Sequence, residues 1–311
     1  MQRNQANRRD VTLCGKFLLV FSTLSFENPP GLNVHCGFDC LSFLSYNARM
    51  MNEEHKPTIS ISYRLSWLLS RIPSEASLVD VGTDHALLPI AAVQMGRIHT
   101  AIASDVAVGP VERASKQISQ AGLTDLIDVR LGDGLSTVQP GEVDTVVIAG
   151  MGGSTITEIL MQSPSVVEHT RMLLLQPMNA YSKLRQWLYQ HHFFLQDESI
   201  LKEDGRFYQC IQAIRNEYAF DVAYQLFPDE WDKRMAYQYG PLNLQRPTID
   251  VEQYLQVEIQ KYQNILQQMP HPNYNISYLP RFETDKRRQE LLGDIEWIKN
   301  WQAKLSSERG G

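Results

Sequence analysis

At 311 residues and 43% hydrophobic, the chain can bury one sizeable core plus a smaller appendage, which excludes disorder throughout. A formal net charge of −6 excludes a globally basic nucleic-acid binder, so any such contact has to be local. Four cysteines (Cys14, Cys36, Cys40 and Cys210) show no paired metal spacing, and a reducing compartment, the cytoplasm, fits them better than a disulfide framework.

Residues 1–57 carry little pattern. The run Phe17–Leu24 behind Arg3, Arg8 and Arg9 is a weak match to a signal peptide, being short, abutted by Lys16 and lacking a clean cleavage site. No apolar run approaches the ~20 residues that a membrane-spanning helix needs. The stretch reads as an extension ahead of the folded domain, either unstructured or a mis-assigned start, with Met50 or Met51 as alternative first residues.

From there helical patterning begins. Ile61, Leu65, Leu68, Leu69 and Ile72 fall on one helical face, and Pro73 stops the helix. Arg64 and Arg71 lie seven apart on another part of that surface, so they are candidates for phosphate contacts, the plainer reading being a solvated face. Leu78–Val81 predicts a buried strand, followed by a helix over 88–95 closed by Gly96. Thr100–Asp105 predicts a second strand, and Gly109-Pro110 opens a helix through Gln120, with Pro110 in the first turn where its missing N–H costs nothing. Ile127–Gly134, Val143–Ala149 and Met172–Pro177 predict three more strands, with a helix from Ser154 between the last two.

Strands alternating with helices at this spacing imply a parallel α/β sheet. Phe193–Leu201 and Phe207–Ile214, joined by Lys202-Glu-Asp-Gly-Arg206, predict an antiparallel hairpin at its edge. Such a sheet resembles that of the class I methyltransferases, a Rossmann-like fold whose last strand is inserted antiparallel. Past Asn216 an aromatic- and proline-rich segment leads to two helical stretches, over 251–269 and 283–306. Their stripes (Tyr254, Leu255, Ile259, Tyr262, Ile265, Leu266; Leu291, Leu292, Ile295, Ile298, Leu305) suit a coiled-coil-like helical hairpin broken at Pro270–Asn273. Three regions follow: 1–57, an α/β domain over 58–216, and a helical domain over 217–311.

Acids end three successive strands: Asp80, Asp105 and Asp133. An acid after the second strand suits the ribose hydroxyls of a nucleotide-type cofactor. The first loop discriminates among such cofactors. A pyrophosphate site needs close glycines at a helix N-terminus, whereas Gly82-Thr-Asp84-His-Ala86 keeps one glycine of three and places an acid where phosphate would lie. Asp80 and Asp84 instead suit the cationic sulfonium and amino groups of S-adenosylmethionine, although a helix-capping role for Asp84 is the plainer alternative. A lone His85 without a fitting nucleophile argues against a hydrolase, and adjacent His191-His192 against a metal site. Gly150-Met151-Gly152-Gly153 after the fourth strand clears space for a target base, with Met151 offering a polarizable surface; a tight turn would explain the glycines equally well. Gln176 and Asn179 end the fifth strand with amides able to read a base edge, or with Asn179 as a helix cap.

Taken together, Val79–Pro89, Ala149–Gly153 and Leu174–Met178 resemble the bacterial tRNA (adenine-N1) methyltransferases of the TrmK type, which modify adenine 22 in the D-arm. The likeness is close over residues 60–215. It implies S-adenosylmethionine contacts from Asp80, Gly82, Asp84, Asp105, Gly132, Asp133, Gly134 and Gly150. It also implies a target pocket at Gly150–Gly153, with Asp84, Met151 and Gly152 at the chemistry and tRNA as partner. Neither the 51–215 stretch nor the 216–311 stretch is basic overall, so tRNA contacts are expected from Arg64, Arg71, Arg281, Lys286, Arg287 and Arg288. No metal is expected. The rival readings are a methyltransferase of the same fold acting on a small molecule, a non-catalytic RNA-binding protein with a vestigial cofactor site, and a nicotinamide oxidoreductase, the last disfavoured by Asp84.

Overall fold

The computed structural model describes residues 59–216, 221–269 and 281–309, with the side chains of 281–283 and 308–309 left out; the expectations for residues 1–57 and for the break at Pro270–Asn273 fall outside these ranges. Ser62 caps the first helix, α1 (Tyr63–Arg71), its hydroxyl accepting from the Leu65 N–H at 3.4 Å. Leu68 and Leu69 on α1, and Ile72 just beyond it, are buried, as the apolar stripe requires.

Then follow β1 (Leu78–Val81), α2 (Leu87–Gln94), β2 (Ala101–Asp105), α3 (Val108–Gln120), β3 (Ile127–Leu131), β4 (Thr145–Met151), α4 (Gly153–Gln162), α5 (Pro164–His169), β5 (Met172–Pro177), α6 (Tyr181–Gln190), β6 (Phe193–Glu203) and β7 (Arg206–Arg215). All seven strands share one sheet in the order β3-β2-β1-β4-β5-β7-β6. The first five run parallel, while β7 pairs antiparallel with both β5 and β6 and so lies inside the sheet, leaving β6 at the edge. The hairpin turns through Asp204-Gly205 between the paired Glu203 and Arg206, both turn residues having positive φ. This is the chemistry that a two-residue hairpin loop demands.

Buried apolar residues alternate along the strands because each face of the sheet is covered. Leu78, Ala101, Ala103, Val147 and Leu174 pack with α1, α2 and α3; Val79, Val81, Val146, Ile148 and Leu175 pack with α4 and α6. The chain continues through a 3-10 turn at Val222–Tyr224 and helices α7 (Glu230–Tyr239), α8 (Pro241–Gln245), α9 (Ile249–Gln268) and α10 (Arg281–Arg309). Met235, Tyr239, Leu255, Ile259, Leu291 and Ile295 from these helices join Leu195, Ile200 and Ile211 in the same core. Packing therefore runs unbroken across residue 216 among the described residues. Of the stripe expected on α10, Leu291, Ile295 and Ile298 are buried but Leu292 is half exposed, so the contact seam is narrower than its sequence pattern.

Candidate active site

Parallel pairing sets the carboxyl ends of β1, β2 and β4 side by side, with β3 beyond β2 and β5 beyond β4. The open end of such a sheet is where ligands bind in α/β proteins. Asp80 on β1 is buried there, and its carboxyl is pushed up to about 7. Burial is the main cause; the Thr83 hydroxyl opposes it and the Asp105 carboxylate adds to it. The first loop is tied to β2, since the Gly82 and Thr83 N–H groups both donate to the Ser104 carbonyl, at 2.8 and 3.0 Å. Gly82 has φ +78°, a backbone conformation that favours glycine, and a Cβ there would stand 2.0 Å from Met151 Cε, whose methyl would have to swing aside.

Asp84 does not cap α2. The residue at that cap is Ala86, in the left-handed region at φ 52°, and its N–H donates to the Thr83 hydroxyl at 3.1 Å. Asp84 is exposed and accepts from Arg113 of α3 at 2.8 Å, with His85 Nε2 at 3.3 Å from its other oxygen. Its charge is therefore shared with a guanidinium 29 residues away, a partner that the sequence reading does not contain. Asp105 spends one carboxylate oxygen on the Ala107 N–H at 2.8 Å, leaving the other without a hydrogen bond among the described residues, and its carbonyl accepts from the Gly132 N–H at 3.0 Å. The loop acid Asp133 is exposed, and a Cβ on Gly132 or Gly134 beside it would press on Thr137 or Ile159 respectively.

Two side chains beside these acids escaped the sequence reading. Val106, directly after Asp105, is 67% exposed, and Leu131, the register partner of Asp105, is 53% exposed. Apolar groups left in water at the open end of the sheet suit a planar ring. The available signal was an apolar residue following the strand-end acid, where a polar loop should begin.

On the other side, β4 ends in a bulge: Ala149 and Met151 pair with Gln176 and Pro177, and Gly150, at φ +78°, is the extra residue between them. The turns after β4 and β5 are locked together, with Met178 N–H donating to the Met151 carbonyl at 2.8 Å and Gly153 N–H to the Asn179 carbonyl at 3.1 Å. Gln176 is wholly buried and spent: its Oε1 accepts from Arg64 Nη1 at 2.9 Å and its Nε2 donates to the Pro177 carbonyl at 3.0 Å.

The cations expected to meet phosphate divide. Arg64 is drawn inward, since besides Gln176 it pairs with Glu203 at 3.5 Å and stands over the Tyr208 ring. Arg71 pairs with Asp197 at 2.8 Å and covers Trp67. Both hold α1 against the β6–β7 hairpin instead of standing on a solvated face, a correction that follows from acids on distant strands. Lys286 and Arg287 on α10 are exposed, Arg287 with Glu290 at 3.2 Å; Arg288 is half buried and donates to the Met269 carbonyl. The Arg281 side chain lies outside the described residues.

As a donor set, the strand ends offer Asp80, Asp84, Asp105 and Asp133 and no glycine-rich phosphate cradle. These residues fit the cationic head and ribose of S-adenosylmethionine and would repel a pyrophosphate.

Comparison with known proteins agrees with this chemistry. A family model described as a methyltransferase domain matches residues 61–211. Over 243 residues the chain is 34% identical to the tRNA (adenine(22)-N(1))-methyltransferase of Bacillus subtilis (strain 168), covering 78% of this chain and 96% of that protein. The crystal structure of the B. subtilis m1A22 tRNA methyltransferase TrmK superposes with a TM-score of 0.68 at 31% identity, covering 78% of this chain and 98% of that one. Streptococcus pneumoniae Sp1610, crystallised with S-adenosyl-L-methionine, gives 0.64 at 32% identity over 78% and 99%. At 34% identity over 96% of that protein's length, the chain belongs to the tRNA (adenine(22)-N(1))-methyltransferase family.

Proposed function

We infer that the protein transfers a methyl group from S-adenosylmethionine to N1 of adenine 22 in tRNA, in the cytoplasm. The observation that carries the reading is the acid-lined end of the sheet, where a buried Asp80 and a half-satisfied Asp105 stand on neighbouring strands, with the Gly150–Gly153 turn at the end of the strand on the other side of β1. The family resemblance supports tRNA as the substrate. Asp80 and Asp84 would hold the cationic head, Asp105 the ribose, and Val106 with Leu131 the adenine ring. Bound there, S-adenosylmethionine supplies an electrophilic methyl on sulfur.

Adenine N1 carries an in-plane lone pair, so the protein has no strong base to provide for the attack. Its residues act by holding two reactants in line, an effect worth up to ~7–11 kcal/mol. Because N1 lies on the pairing edge, the base has to leave its stack to reach the turn at Gly150–Gly153. Incubation with labelled S-adenosylmethionine and unmodified tRNA, followed by nucleoside mapping, is expected to place the label on N1 of adenine 22. Label on a small molecule alone, or on no adenine N1, would overturn the reading.

A further inference from the structure

The end of β5 and the turn after it carry two carboxamides, and the structure separates them. Gln176 is buried and both ends of its amide are taken, by Arg64 and by the Pro177 carbonyl. It has nothing left for a ligand. Asn179 is exposed, and among the described residues its side chain takes no hydrogen-bond partner. It does not cap α6, whose cap residue is Ala180 in the left-handed region at φ 48° without a side-chain hydrogen bond.

What Asn179 does is lean over the glycine turn. A Cβ built on Gly152 would stand 3.0 Å from Asn179 Oδ1 and 3.6 Å from its Nδ2. The backbone beneath is fixed from both sides: Gly153 N–H donates to the Asn179 carbonyl at 3.1 Å, and a Cβ on Gly153 would collide with the carbonyl oxygens of Asn179 and Ala180. A left-handed non-glycine residue held by such contacts is strain of the kind that collects at functional sites. The carboxamide is thus set above the turn, unspent, on a backbone that cannot drift.

We propose that Asn179 is the specificity-determining residue for the target base, its Oδ1 accepting a hydrogen bond from the exocyclic amine of adenine. This rests on the reading of the turn as the target pocket for adenine N1 methylation. Alkylation at N1 puts positive charge on the ring and its amine, so a carbonyl acceptor on that amine gains strength as the methyl arrives. The contact therefore discriminates adenine from a base lacking the amine, and it acts on turnover more than on tRNA capture.

The test pairs enzyme variants with two tRNAs that differ at position 22, one carrying adenine and one carrying unsubstituted purine, with kcat/KM for N1 methylation measured on each. Asn179→Ala is expected to lower kcat/KM on adenine by about tenfold while leaving the purine substrate within about twofold, so the preference collapses. Affinities for S-adenosylmethionine and for tRNA should be unchanged, which shows that the variant is folded. Asn179→Asp keeps an acceptor and should retain the preference for adenine. Equal losses on both substrates, an unchanged preference in Asn179→Ala, or collapse produced instead by Thr155→Ala, whose hydroxyl lies on the same turn, would overturn the assignment. If the unaltered enzyme methylates adenine 22 and the preference does not move, only this inference fails; if it methylates no adenine N1, the function itself is at fault.

Discussion

Asp80 carries opposite consequences for stability and for binding. Its carboxyl is raised from 3.8 to about 7 mainly by burial, so the fold favours the neutral form. The contribution to stability is fully present below 3.8 and is lost as pH rises through about 7, a difference of roughly 4 kcal/mol between the two limits. A cationic ligand reverses that preference, because it needs the carboxylate. S-adenosylmethionine affinity should therefore fall by up to tenfold per pH unit below about 7 and level off above it, with a proton released on binding near neutral pH, as calorimetry in buffers of different ionisation enthalpy would record. Asp80→Asn should flatten that profile and weaken binding, yet raise the melting temperature of the ligand-free protein at pH 8. A variant that binds the cofactor with the same pH profile as the parent would remove Asp80 from the site. The residue stays acidic at a cost to the empty protein, as expected of a side chain kept for its ligand.

At the level of elements, the hairpin, α6 and the C-terminal helices meet at a buried ion pair. Arg185 of α6 and Glu198 of β6 are both wholly buried at 2.6 Å, and the guanidinium also reaches Gln209 of β7 and the Tyr237 carbonyl of α7. Glu198 in turn accepts from the Leu242 N–H of α8 at 3.1 Å. Removing one partner leaves the other charge buried alone, so Arg185→Ala should cost about 3–5 kcal/mol in chemical denaturation, and Arg185→Lys, which cannot fill the same fork, a large part of that. A loss below 1 kcal/mol for the alanine variant would show that the pair is not what closes this junction. None of this was legible beforehand, and the reason is physical. Strands β1 to β5 announce themselves because each is a short run rich in β-branched or other apolar residues and bounded by an acid, a glycine or a proline, a local pattern. The ion-pair partners Glu203 of Arg64, Asp197 of Arg71, Arg113 of Asp84 and Glu198 of Arg185 lie 13 to 139 residues away and depend on which elements become neighbours. Helices α7 and α8 hid for a different reason: Gly240 and Pro241 look like breakers, yet they form a sharp corner, with Pro241 in the first turn of α8 where it is tolerated. The open end of the sheet was legible as a place; what occupies each of its positions was not.

For the whole molecule, the difficulty is how an acidic protein holds an acidic substrate. With a net charge of −6, the chain as a whole offers tRNA no attraction at long range, so affinity has to come from local groups of exposed cations. Arg64 and Arg71 are committed to Glu203 and Asp197, which moves the expectation onto α10, where Lys286 and Arg287 are exposed. Helix α10 packs into the same core as the sheet through Leu291, Ile295 and Ile298, so a backbone gripped there is held on a rigid frame. Each phosphate contact contributes about 0.7 to 0.9 to the slope of log affinity against log salt. Lys286→Glu combined with Arg287→Glu should therefore reduce that slope by about 1.4 to 1.8 and weaken tRNA binding by at least tenfold at low salt, while S-adenosylmethionine affinity stays as it was. Arg71→Gln, by contrast, should leave the salt slope unchanged and lower thermal stability, because its guanidinium works within the chain. The reverse pattern, a slope unmoved by the α10 reversal but reduced by Arg71→Gln, would place the tRNA backbone along α1 and require that helix to release its acids on binding.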